Sequence, residues 1–126
     1  MKSRLSEVAI FPKQLFLPGS NNKTLKQQQD MVEKFSRDLN IQGAEAIIGE
    51  MPDYVELAST HFDETGVRLF GKDYGFDYAR TITPTGGTDV ASVGHFCADD
   101  GLGVCDWDRD DGGGGLFVAP LVVPKP

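Results

Sequence analysis

Residues 101–124, "GLGVCDWDRDDGGGGLFVAPLVVP", set ordered apolar positions on either side of a run of aspartates and four consecutive glycines. Leu102, Val104 and Trp107 keep an apolar rhythm before the acids, and Leu116, Val118 and Leu121 or Val122 resume it after the glycines. Short apolar runs bounded by turn residues read as β-strands lining a core. The acid and glycine stretch therefore joins strands within one domain, because a flexible interdomain linker would not be followed by a single terminal strand.

Working outward, the chain changes character near residue 73. Residues 1–73 hold all six Glu, all five Gln, all three Met and six of the seven Lys. Residues 74–126 hold ten of the fifteen Gly and eight of the thirteen Asp, although they are the shorter part. The first part carries helical periodicity. "TLKQQQDMVEKFSRDLN" (24–40) puts Leu25, Val32, Phe35 and Leu39 on one face of an amphipathic helix. "PDYVELASTHFDETG" (52–66) opens on Pro52, carries acids in its first turn, places Val55, Ala58 and Phe62 on one face and stops at Gly66. "EVAIF" (7–11) and "AEAIIG" (44–49) read as short strands. The second part has no helical period, and Val90, Val93 and Phe96 continue its strand rhythm.

A chain of 126 residues is expected to form one domain able to bury its own core. The net charge of −7, with no basic cluster interleaved with aromatics, disfavours nucleic acid as a partner. No apolar stretch approaches the ~20 residues of a membrane span, and no signal segment is recognisable, so the cytoplasm is the default expectation. Whether Cys97 and Cys105 pair is left open by their spacing.

Three chemical readings of the second part fail on residue type. Asp106, Asp108 and Asp110 alternate as calcium ligands do, but Asp111 stands where that loop needs Gly and Phe117 where it needs a bidentate Glu. His95, Cys97 and Cys105 offer zinc donors without an evident fourth. His61 and His95 have no catalytic spacing, and "PTGG" and "GGGG" lack the Lys-Ser/Thr of a phosphate loop. The expectation is a chain with no metal, no cofactor and no enzymatic activity. A calcium-dependent carbohydrate- or protein-binding module using Asp106, Asp108 and Asp110 is the alternative.

The residue types of the second part have a genetic regularity. A codon of form NNC encodes every amino acid except Lys, Gln, Glu, Met and Trp. Those five types number twenty in residues 1–73, whereas only Trp107 and Lys125 occur in residues 74–126. This filtered composition, with Gly101-Leu102-x-Val104-x-x-Trp107 followed by Leu116-x-Val118-x-Pro120, resembles the variable region of proteins diversified by diversity-generating retroelements. The short archaeal variable proteins look most alike in size and arrangement. The resemblance covers little more than the last quarter of the chain, and Asn, the product of an unmutated AAC codon, is absent from residues 74–126.

The resemblance implies an α+β, C-type lectin-like fold of the formylglycine-generating-enzyme subgroup, without that enzyme's activity. Two helices would pack on a mixed, mainly antiparallel sheet, with the N- and C-terminal strands, "EVAIF" and "FVAPLVV", paired. It implies a single domain, 1–126, with a constant scaffold over 1–73 and a variable region over about 74–126. Trp107 and Val118 would be framework. Asp89, Ser92, His95, Cys97, Asp99, Gly103, Cys105, Asp106, Asp108, Asp111, Gly113, Gly114 and Gly115 would be interchangeable ligand-binding positions. Gly75, Asp77 and Thr88 are weaker additions. The expected partner is a protein of unknown identity, with a basic surface favoured by the acids, bound by a monomer.

Overall fold

The computed structural model describes residues 15–124. Helix α1 spans Leu25–Leu39 and α2 spans Met51–Thr65, with strand β1, Ala44–Ile47, between them. The rest is strand: β2 Tyr78–Gly86, β3 Asp89–Cys97, β4 Gly101–Asp108, β5 Leu116–Phe117 and β6 Leu121–Pro124. A short 3-10 turn, Lys72–Tyr74, stands where composition changes, so the compositional break is also a change from helix to sheet.

Local chemistry explains the helix ends. Thr24 accepts the Gln27 backbone N–H while the Gln27 side chain accepts that of Thr24, a reciprocal cap at the start of α1. Asn40 closes α1 in the left-handed region. In α2 the Glu50 N–H donates to Asp53, Pro52 lies in the first turn where its missing N–H costs nothing, and Gly66 at φ 75° ends the helix.

Four strands form one sheet in the order β4-β3-β2-β5, antiparallel except for the parallel β2–β5 pair. The second sheet pairs β1 with β6, antiparallel, from Ala44↔Pro124 to Ile47↔Leu121. The fold is thus α+β, with two helices packed on a mixed and an antiparallel sheet. One core cluster joins α2 (Tyr54, Leu57, Ala58) to Ala79 and Val93 of the larger sheet, and a second joins α1 through Val32 to Ala46 and Val118.

Two expectations change, and a third falls outside the described residues. The run "LFVAPLVV" is two strands in two sheets. At the break the Ala119 carbonyl turns to the Tyr54 hydroxyl and the Val118 carbonyl to the Leu17 N–H, while Pro120 offers no donor for a continuous ladder. β6 pairs with Ala44–Ile47, while "EVAIF" lies outside the described residues. The buried face of α2 centres on Tyr54, Leu57 and Ala58, because the Tyr54 hydroxyl finds buried partners in the Gly49 N–H and the Ala119 carbonyl. No helix among the described residues is long and apolar enough to cross a membrane.

Candidate functional site

β3 and β4 form a regular antiparallel ladder from Asp89↔Asp108 to Gly94↔Gly103. Successive side chains alternate between the two faces of such a sheet. One face carries Ala91 and Val93 toward α2. The opposite face is organised by Tyr78 of β2, whose register partner is Gly94. A Cβ added at Gly94 would lie 2.6 Å from Tyr78 Cα, and one at Gly103 would lie 3.1 Å from the Tyr78 hydroxyl. The Cys105 thiol donates to the same hydroxyl at 3.6 Å. That hydrogen bond, then burial, raises the Tyr78 phenol above its ordinary pKa.

The "RDDGGGG" segment covers this face as a fastened loop. Arg80, fully buried on β2, donates through its guanidinium to the carbonyls of Lys23, Asp108, Arg109 and Asp111. Burial lowers its pKa while Asp108 and Asp111 act in the opposite direction. An arginine stays charged under such conditions, so the loop is tied to a cation held inside the fold. Asn22 N–H donates to the Gly113 carbonyl at 3.0 Å, Asn21 Nδ2 to that of Gly114 at 3.0 Å, and Tyr78 N–H to that of Gly115 at 2.8 Å.

The four glycines are not equivalent. A Cβ at Gly112 would meet the backbone of Asn22 and Lys23 at 2.5 Å, which excludes any side chain without moving the chain. One at Gly113 would lie 2.7 Å from Trp107 Cζ2, one at Gly115 would lie 3.1 Å from the Asp77 carboxylate, and Gly114 faces open space. Gly113, expected to be interchangeable, lies against the Trp107 indole, so a side chain there requires that ring to shift.

Of the thirteen positions expected to be interchangeable, Ser92 is buried, with its hydroxyl donating to the Cys105 carbonyl at 3.3 Å, so it displays nothing. The other twelve reach the surface wholly or in part. Gly103, Cys105, Gly113 and Gly115 gather around Tyr78, Trp107 and Asp77. Asp106 belongs to the opposite face of β4, paired in register with Ala91, and Asp89 pairs with Asp108 at the far end of the hairpin. Asp99 lies in the β3–β4 turn. A register shift between Gly94 and Cys97 takes His95 out of the ladder at φ 49°, where its ring meets that of Phe76 at 4.7 Å. Cys97 and Cys105 are both free. Cys105 stands opposite Ser92, five residues along β3 from Cys97, or about 17 Å at strand spacing and beyond disulfide reach.

Val104 and Trp107 are 49% and 37% exposed, on opposite faces of β4, which has β3 as its one strand neighbour among the described residues; Trp107, expected as framework, has its indole against Gly113. The acids do not converge either. Asp108 accepts the Asp110 N–H at 2.9 Å and the Thr88 hydroxyl at 3.0 Å, which hold its pKa below the ordinary value. Among the described residues no three His, Cys, Asp or Glu side chains come together as a metal site would require.

Tyr78, Arg80 and Asp77 organise this face without appearing among the strongest sequence candidates. The available signal was "DYARTIT", a strand with a cation between apolar and β-branched residues. No family model matches the chain, and neither a curated protein nor a solved structure does.

Proposed function

We propose that this chain is a recognition protein in which a C-type lectin-like scaffold carries interchangeable surface residues, diversified by adenine-specific retroelement copying. One observation supports the reading above the others: the compositionally filtered segment supplies a complete exposed strand and a fastened loop, while its ordered apolar residues Val90, Val93, Leu116 and Val118 are buried. Rigid support under exchangeable loops is how binding surfaces vary without loss of fold. Eight aspartates against Arg80, Arg109 and Lys125 in residues 74–126 favour a protein partner with a basic surface.

The test is the DNA beside the gene. A near-identical non-coding repeat of the 3′ end, differing from the coding copy where the repeat has adenine, is expected near a reverse transcriptase gene. A complete locus without such a repeat overturns the proposal.

A further inference from the structure

We infer that the outer edge of β4, with which no other described residue pairs, takes up an extended, basic segment of a partner protein as an additional antiparallel strand. The inference rests on the recognition reading and specifies the partner's form.

Backbone direction is the first ground. The Arg109 N–H donates to the Thr88 carbonyl at 3.0 Å, one step beyond the Asp89↔Asp108 pair. Antiparallel ladders alternate hydrogen-bonded and non-hydrogen-bonded pairs, so Trp107 and Cys105 also turn their backbone groups toward β3. The Ser92 hydroxyl bound to the Cys105 carbonyl agrees with that direction. Leu102, Val104 and Asp106 consequently present their N–H and C=O groups outward, where no described residue bonds to them.

Such edges in monomeric proteins are normally short, or blocked by Lys, Pro or a bulge in their middle. β4 is eight residues long and contains no Lys, Arg or Pro. Its one irregularity lies at the end nearest Gly101. Exposed Val104 and Trp107 stand on its two faces and would flank alternate side chains of an added strand. Asp99 and Asp100 lie in the turn before β4, Asp106 and Asp108 on it, and Asp110 and Asp111 in the loop after it, with Arg109 the one cation between residues 98 and 112. A second copy of this chain would bring those acids together, whereas a lysine- or arginine-rich strand would pair with them. The backbone edge supplies the hydrogen bonds whichever side chains the variable positions carry, and the present acids select a basic strand.

The probe is a blocked peptide of the same length as β4, alternating lysine and valine, added to the full chain while amide exchange is followed residue by residue. Exchange at Leu102, Val104 and Asp106 should slow about tenfold with peptide at about ten times its dissociation constant. Cys105 and Trp107, already bonded to β3, should change little. A glutamate and valine peptide, or the lysine peptide N-methylated on its docking edge, should give no such protection. Val104→Pro removes an outward donor and no β3–β4 bond, so it should keep the protection of Cys105 while weakening the peptide at least about tenfold.

Protection absent with the lysine peptide, equal with the glutamate peptide, or retained after N-methylation overturns the inference. So does protection that rises with protein concentration alone, which would assign the edge to a second copy. These results are separable from the gene-locus test: a template repeat with no edge protection removes the inference and leaves the recognition reading, and the reverse result removes that reading.

Discussion

β3 and β4 are neighbours of nearly equal length, paired residue against residue, yet one is interior and the other is surface. Val93 and Val104 face each other in the register, and the first is fully buried while the second is 49% exposed. Residue type does not separate them. β3 has a strand on each side and α2 against it, whereas β4 has a single strand neighbour among the described residues. Place in the sheet, decided by contacts distant in sequence, assigns one strand to holding the fold and the other to meeting solvent.

The largest break in that division should come from Arg80, which holds the loop following β4 to the scaffold beneath. Arg80→Met removes the donors of four carbonyls and should cost about 3 kcal/mol or more, read by chemical denaturation. The valine pair tests the division directly. Val93→Ala should lose about 2 kcal/mol and Val104→Ala less than about 0.5 kcal/mol, and equal losses would refute the contrast. Within the glycine run, Gly112→Ala should destabilise by about 1.5 kcal/mol through overlap with the Asn22 and Lys23 backbone, while Gly114→Ala should be near neutral.

The smallest effect is in pH. Asp108 has a folded pKa below its ordinary value of 3.8, so its hydrogen bonds stabilise the fold above that value and are lost as pH falls through the folded pKa. The melting-temperature gap between the native chain and Asp108→Asn should therefore be greatest near neutrality and shrink in acid. Asp77, raised by burial, has the opposite sign: it favours the fold while protonated and loses that contribution as pH rises through its folded pKa. Asp77→Asn should accordingly raise the melting temperature at neutral pH rather than lower it.

Both helices and β1 were legible because apolar periodicity, Pro52 and Gly66 are signals contained within a few residues. Leu116 and Val118 were legible as core for a similar reason, since they follow a punctuated turn region. The edge position of Trp107 was not legible, because a large aromatic among apolar neighbours carries no mark of which strand lies outermost. Arg80 was missed because its partners are carbonyls, which every residue possesses and no sequence pattern displays. The burial of Ser92 was illegible for the same kind of reason, as a small polar side chain suits a surface or a buried bond to a neighbouring strand equally. The glycines separated only once Asn22, Lys23, Trp107 and Asp77 were placed around them.

The pairing of β6 with β1 gives the order of synthesis a physical meaning. Leu121, Val122 and Val123 are among the last residues described, and they close both the sheet begun by Ala44 and the core beneath it. A chain cut short before Leu121 would lose the one strand that pairs with β1 among the described residues, and with it the buried side chains of Leu121, Val122 and Val123.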